Sequence, residues 1–177
     1  MRPLQILTIA VVVYVWIMAV AYAHGQTVPN EVKQAIAASV KASNTKNTND
    51  KEGGFHEEGG MWGLTADGSP IVIIAKPGAT SPKCTNGASL VIGDAKDPSL
   101  TTRIVSISGE WHVHPRGTYY SGNGQLTVFS QPPSAVDIQE ALAPINIVIG
   151  ARDNVVYFYT PIGITSTMKL KEFLRQP

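Results

Sequence analysis

The chain has 177 residues, of which 44% are hydrophobic and 15% are charged, a composition typical of one globular domain. Its 14 basic and 13 acidic residues nearly balance, which excludes a strongly basic nucleic-acid-binding surface and a polybasic membrane patch. Cys84 is the only cysteine, so no disulfide can form within the chain and stability must come from a packed core. No nucleic-acid partner is expected.

The first 23 residues have the pattern of an export signal. Arg2 precedes an apolar run over residues 6–20, and Ala21-Tyr22-Ala23 has the small-x-small form of a cleavage site. The run is almost long enough to cross a membrane, which takes about 20 apolar residues, so an uncleaved anchor is the alternative. Residues 1–23 are therefore predicted to be a signal peptide or a membrane anchor. Residues 24–177 are predicted to form one periplasmic or secreted domain, which contacts a membrane only if the segment is uncut.

Hydrophobic periodicity predicts alternating helices and strands in this domain. Val32, Ile36 and Val40 recur every four residues, as on one face of a helix, and Asp67-Gly68 is a strong hairpin signal. In chain order the pattern predicts a helix over 30–43, strands over 60–65, 70–75 and 89–93, a central strand over 103–114, a loop over 115–133, a helix over 134–143, strands over 145–149 and 155–160, and a closing helix over 166–176. The predicted fold class is α/β, with a single mixed β-sheet flanked by helices.

His112-Val113-His114-Pro115 is the most informative motif of the chain. Side chains alternate along a strand, so both histidines project from one face while Val113 projects from the other. Two adjacent imidazoles can bind one zinc ion, each at about 2.0–2.1 Å. Pro115 ends the strand and places the pair at the edge of the sheet. The alternative is a pair of ordinary strand histidines.

Ser134-Ala135-Val136-Asp137 stands at the start of the predicted helix over 134–143. Ser-x-x-Asp is the form of an amino-terminal capping box, which is the structural interpretation of this motif. The functional interpretation is that the Asp137 carboxylate binds a metal while the Ser134 hydroxyl donates a hydrogen bond to an oxyanion. Both roles are compatible with the first turn of a helix.

Glu57-Glu58-Gly59-Gly60 comes just before the first predicted strand. A zinc hydrolase with three protein ligands keeps a water molecule at the fourth position and needs a nearby carboxylate to accept its proton. The two glycines would allow the backbone to approach the site closely. The alternative is a solvated acidic turn.

Together and in this order, the Glu57 segment, the histidine motif and the Ser-x-x-Asp motif resemble the signature of the JAMM (JAB/MPN-type) zinc metalloproteases, and Glu57-x-Gly-Gly is similar to the form found in bacterial members. The resemblance covers residues 30–177 and implies a cytidine-deaminase-like architecture. It implies that Zn²⁺ is bound by His112, His114 and Asp137. It also implies that Glu57 is the general base and acid and that Ser134 stabilises the oxyanion.

By the same resemblance, the chain hydrolyses peptide or isopeptide amide bonds, and its partner is a peptide or protein substrate. An exported enzyme meets no cytosolic ubiquitin-like conjugates. Envelope peptides, peptidoglycan cross-links or a secreted target are therefore the expected substrates, and the oligomeric state is open. The alternatives are an inactive MPN-type binding module and a secreted effector or toxin with a JAMM-like core.

Some positions depart from the family pattern or compete for a role. The loop over 115–133 is longer than the family's, and is either a lid or substrate wall or a plain surface excursion. Glu58 and Glu110 compete with Glu57 for the role of the base, and Glu110 can instead orient an imidazole. His24 and His56 are not expected to bind the metal.

Overall fold

The structure, a computed structural model, describes residues 28–44, 55–79 and 88–177. The predicted export segment 1–23 and Cys84 lie outside these residues. Among the helices that are described, none is long and apolar enough to cross a membrane.

A mixed sheet forms the centre of the fold. The helices are α1 (Asn30–Ser43), α2 (Pro98–Thr101), α3 (Ala135–Gln139) and α4 (Leu170–Phe173). The strands are β1 (Gly59–Thr65), β2 (Pro70–Ile74), β3 (Ile104–His114), β4 (Thr118–Tyr120), β5 (Leu126–Val128), β6 (Ile145–Gly150), β7 (Val155–Thr160) and β8 (Gly163–Lys169). Six strands form one sheet in the order β2-β1-β3-β6-β7-β8, in which β3 and β6 run parallel and the other neighbours antiparallel. The predicted class, a mixed sheet flanked by helices, is confirmed.

One face of the sheet carries the main hydrophobic core. The apolar stripe of α1 buries Val32 and Ile36 completely against this face. β3 contributes Trp111 and Val113, and α4 contributes Phe173. All six residues of β6 are buried, as expected for a strand at the centre of a sheet. The core explains why the predicted helix over 30–43 and the predicted central strand are both confirmed.

The predicted strand over 89–93 is wrong. This segment runs without regular structure into a turn, and Val91 is 70% exposed. The residues that follow pair with the edge of the sheet instead, through a bridge between Ala75 and Ala95. A short apolar run does not by itself determine which backbone groups form hydrogen bonds in a sheet.

The predicted closing helix over 166–176 is also wrong over most of its length. Residues up to Lys169 form β8, which pairs with β7, and only Leu170–Phe173 are helical. The segment Thr165-Ser166-Thr167 favours a strand because β-branched residues suit a pleated surface. The apolar residues that suggested one helix face reach the same core from two elements, Met168 from β8 and Phe173 from α4.

The helix predicted over 134–143 is shorter than expected. It ends at Gln139, and Pro144 disfavours the helical conformation at the preceding residue. The carbonyl oxygen of Ala143 instead accepts a hydrogen bond from Asn146 Nδ2 at 2.8 Å.

The long loop over 115–133 contains a second sheet. β4 and β5 pair as a hairpin, with Tyr119 opposite Thr127. Gln131 joins the two ends of the segment, since its Nε2 donates to the Pro115 carbonyl oxygen at 3.2 Å. Arg152 Nη2 donates to the Arg116 carbonyl oxygen at 2.9 Å and attaches the base of the hairpin to the turn after β6.

The carboxy-terminal helix α4 should be essential for stability despite its short length. Phe173 is 1% exposed, and its ring lies edge-on to Phe158 with centroids 6.0 Å apart. We expect Phe173→Ala to lower the free energy of unfolding by about 3–5 kcal/mol in urea titrations, because it removes a buried ring and leaves a cavity. Leu142→Ala is the control, since Leu142 is 90% exposed and should change stability by less than about 0.5 kcal/mol. Equal effects of the two substitutions would contradict this packing.

Candidate metal centre

The two motif histidines occupy the carboxyl end of β3. His112 lies between Gly59 of β1 and Val148 of β6, and His114 lies opposite Gly150. Alternation turns both imidazoles to the sheet face opposite the main core, as the sequence predicted. The side chains are 7% and 8% exposed, so both rings are largely withdrawn from water.

Three ligand-type atoms converge beside these rings. Nε2 of His112 and Nε2 of His114 are 3.1 Å apart. Asp137 reaches both rings, with Oδ1 3.3 Å from His112 Nε2 and Oδ2 3.4 Å from His114 Nε2. All three ligand atoms lie within 4.8 Å of one another, a grouping that can hold a metal ion. Two imidazole nitrogens and one carboxylate oxygen are also chemically suited to such an ion.

Asp137 is at once the third residue of this group and part of a helix cap. Ser134 Oγ accepts a hydrogen bond from the Asp137 backbone N–H at 3.2 Å, and the Ser134 N–H donates to Asp137 Oδ2 at 2.6 Å. The capping box therefore exists, and it aims the carboxylate at the histidines. Because Ser134 Oγ acts as an acceptor in the cap, its hydroxyl hydrogen is left for a further acceptor.

Without a metal, the charged forms of Asp137 and His112 stabilise each other. Burial opposes ionisation of Asp137, but the hydrogen bonds of His112 and His114 and the charge of His112 hold its pKa far below the ordinary range. Burial likewise disfavours the His112 imidazolium, yet the hydrogen bond to Asp137 and the charge of Glu57 raise the His112 pKa above its ordinary value. Without a metal, Asp137 and His112 therefore favour an ion pair.

Glu57 is buried in the segment that leads into β1, with an exposed fraction of 8%. Burial raises its pKa, while the neighbouring charges of His112 and His114 oppose that rise. A buried carboxylate near two imidazoles, with an elevated pKa, has the properties of a general base.

Gly59 allows the Glu57 segment to lie directly against β3. A Cβ atom at Gly59 would stand 2.4 Å from the Trp111 carbonyl oxygen and 3.0 Å from the His112 Cβ, so no other residue fits without displacing backbone. The expected close approach of the Glu-x-Gly-Gly backbone to the site is thus present.

Glu58 is separated from the centre by its own partners. Its Oε1 lies 2.9 Å from His56 Nε2, and its Oε2 accepts a hydrogen bond from Lys96 Nζ at 3.3 Å. Burial alone would raise the Glu58 pKa, but His56 and Lys96 lower it. Of the two adjacent glutamates, Glu57 is therefore the one whose charge interacts with His112, His114 and Asp137.

Glu110 shares the sheet face of the histidines and is half-buried. Burial raises its pKa; the charge of His112 opposes this rise, and those of Asp137 and Glu140 add to it. Glu110 stands two residues before His112 on β3, where it pairs with Met61 of β1 and Asn146 of β6.

Tyr159 is a residue near the centre that the sequence did not indicate. It lies opposite Asn146 in the β6–β7 pair and is 3% exposed. Burial raises the Tyr159 pKa, and the charges of Glu110 and Asp137 raise it further, so its hydroxyl stays protonated near the acidic groups. Only the register across three strands brings Tyr159 to this face, and a single sequence does not reveal that register.

None of the protein-family models, characterised proteins or solved structures compared with this chain matches it.

The ion pair at the centre should appear in the pH dependence of the metal-free protein. His112 has a raised pKa in the folded state, so it adds stability that is complete below its ordinary value of 6.5 and is lost as the pH rises through the folded-state value. We expect Asp137→Asn to lower the His112 pKa, measured by NMR titration in the presence of a chelator. The variant should also lose more stability at pH 6 than at pH 9.

Asp94→Asn is the matched control for this titration, because Asp94 pairs with Lys76 at the surface, at 2.7 Å. An unchanged His112 pKa in Asp137→Asn would contradict the observed pairing.

Proposed function

We propose that this chain is an exported zinc-dependent hydrolase of the JAMM (MPN) type that cleaves peptide or isopeptide amide bonds. The observation that carries the proposal is the convergence of His112, His114 and Asp137 within 4.8 Å, beside the buried segment that holds Glu57 and pairs with the histidine strand. The order of these residues along the chain is also the order of the family signature.

The residues of the centre fit a catalytic zinc ion. Two histidines and one carboxylate are a ligand set used by hydrolytic zinc enzymes, and three protein ligands leave a fourth position open. A bound zinc ion supplies a Lewis acid and lowers the pKa of a coordinated water molecule to about 7. His112 and His114 would bind it through Nε2, the atom that each turns toward Asp137.

The remaining steps belong to the side chains of this protein. Glu57 accepts a proton from the attacking water and later donates it to the leaving amine, for which its elevated pKa is suited. Ser134 donates its hydroxyl hydrogen to the developing oxyanion, because its oxygen already accepts from the Asp137 backbone. Burial of both imidazoles keeps bulk water from weakening these interactions.

The amino-terminal export pattern directs the choice of substrate. A protein outside the cytosol has access to envelope peptides, peptidoglycan cross-links or a secreted target. The inactive binding module is the less favoured alternative, because all of the signature positions, Glu57, His112, His114, Ser134 and Asp137, are filled.

Zinc content tests the ligand set. We expect the purified protein to bind about one zinc per chain, measured by elemental analysis after dialysis. His114→Ala should lose stoichiometric zinc because it removes one of three ligands. His56→Gln is the control histidine substitution and should retain zinc, since His56 Nε2 is bound to Glu58 rather than to Asp137. A wild-type protein without zinc, or His114→Ala with unchanged zinc, would exclude the proposed centre.

Hydrolysis in H₂¹⁸O tests the reaction. The zinc-loaded protein is incubated with a mixture of linear and isopeptide-linked peptides. For each cleaved bond, mass spectrometry should find one ¹⁸O in the new carboxylate of the acyl fragment and none in the amine fragment. Glu57→Gln should retain zinc and lose about 10²–10⁴-fold in rate, the usual contribution of a general base.

Glu110→Gln is the comparison variant for the base. It is half-buried on the same sheet face, two residues before His112 on β3. Full turnover by Glu57→Gln together with an inactive Glu110→Gln would transfer the role of the base to Glu110. The effector alternative predicts cleavage of a protein from a neighbouring cell, and toxicity that depends on Glu57.

A further inference from the structure

An ion cluster with a buried carboxylate adjoins the proposed base, Glu57. The Glu58 carboxylate has a side-chain exposure of 4%, and both of its oxygens are used, one by His56 Nε2 at 2.9 Å and the other by Lys96 Nζ at 3.3 Å. We call Glu58, His56 and Lys96 the Glu58 cluster. Nothing in the proposed reaction uses these three side chains.

The Glu58 cluster connects two separate parts of the chain. Lys96 belongs to the segment after residue 88, which is attached to the edge of the sheet by the Lys96 N–H donating to the Ile74 carbonyl oxygen at 2.8 Å. The bridge between Ala75 and Ala95 strengthens the same attachment. Lys96 therefore approaches Glu58 from a fixed backbone, although its own side chain is partly exposed.

The backbone at Glu57 and Glu58 is also held on both sides. The Glu57 carbonyl oxygen accepts from the Gly78 N–H at 2.9 Å, and the Glu58 carbonyl oxygen accepts from the Val113 N–H at 2.8 Å. Val113 is the residue between the two histidines. The peptide that carries Glu57 is thus attached to the histidine strand on one side and to the segment after β2 on the other.

A buried carboxylate is strongly unfavourable without its partners, so the Glu58 cluster permits few other arrangements of this segment. Gly59 pairs with His112, and the Val113 N–H donates to the Glu58 carbonyl oxygen, so the pairing with β3 continues through Glu58, and side chains alternate along a paired segment. When Glu58 is fixed toward Lys96 and His56, Glu57 is therefore directed to the side of the histidines. In this arrangement Glu57 faces the candidate metal centre, and Glu58 holds the segment in place.

We propose that Glu58, through His56 and Lys96, is a positioning residue that fixes the Glu57 carboxylate beside His112 and His114. The catalytic consequence rests on the proposed function; the positional claim does not. A general base displaced by about 1 Å can lose up to 10²-fold in rate, so the support has a measurable effect even though it touches no substrate.

The test compares Lys96→Met and Glu58→Gln with Lys76→Met. Lys76 also forms a lysine–carboxylate pair, with Asp94 at 2.7 Å, but both partners are about half exposed and the pair does not include Glu58. Lys96→Arg is the conservative rescue, because it restores a cation that can reach the carboxylate.

Native-state hydrogen exchange of the Gly78 and Val113 amides reports the position of the segment without any substrate. Both amides donate to the Glu57-Glu58 backbone. We expect exchange at these two amides to rise at least about tenfold in Lys96→Met and Glu58→Gln. It should stay within about twofold of wild type in Lys76→Met and Lys96→Arg. Unchanged exchange in both test variants overturns the proposal, whatever the activity.

Turnover supplies the second measurement. With unchanged zinc content, Lys96→Met and Glu58→Gln should lower kcat about 10- to 100-fold and leave KM within about twofold, and Lys96→Arg should recover most of the loss. Raised exchange with unaltered kcat in an active enzyme overturns the positioning role. If the wild-type protein neither binds zinc nor cleaves any peptide, the proposed function fails, and the exchange result alone decides whether the Glu58 cluster holds the segment.

Discussion

The alternation of side chains at the carboxyl end of β3 is the constraint on which the molecule depends. Trp111 and Val113 enter the main core, and His112 and His114 leave it on the opposite face. The pairing of β3 with β6 and with β1 fixes this alternation from both sides. A shift of one residue would bury the histidines in the apolar core and place Trp111 on the face of Glu57 and Asp137, which is strongly unfavourable. The same packing that stabilises the fold therefore orients the ligands.

Asp137 links the centre to local helix formation. A helix of five residues is too short to be stable alone, so α3 depends on its cap and on tertiary contacts. The cap uses the Asp137 carboxylate, which also lies within 3.4 Å of both histidines. The structural and functional interpretations of Ser-x-x-Asp are thus not exclusive. The turn that begins α3 therefore also directs the Asp137 carboxylate at His112 and His114.

The sequence predicted most accurately those features that depend on local pattern. Spacing every four residues located α1, Asp67-Gly68 located the hairpin of β1 and β2, and the histidine strand followed from alternation. The candidate residues His112, His114 and Asp137 also come together as predicted.

Features that depend on tertiary partners were not accessible from the sequence. The carboxy-terminal segment has apolar residues at both strand and helix spacings, and pairing with β7 decides in favour of β8 up to Lys169. Tyr159 reaches the centre only through the register of three strands. The role of Glu58 depends on Lys96, which is distant in sequence and lies in a segment without regular structure.

The hairpin of β4 and β5 makes the long connection between His114 and Ser134 an ordered part of the fold. Its contour is long, yet Gln131 bonds back to Pro115, so hydrogen bonds within the chain hold the two ends of the connection together. The loss of chain entropy on closing this loop is therefore offset by contacts of the protein itself. Residues inserted at the tip of the hairpin, around the Ser121–Gln125 turn, would lengthen the loop without displacing His112, His114 or Asp137.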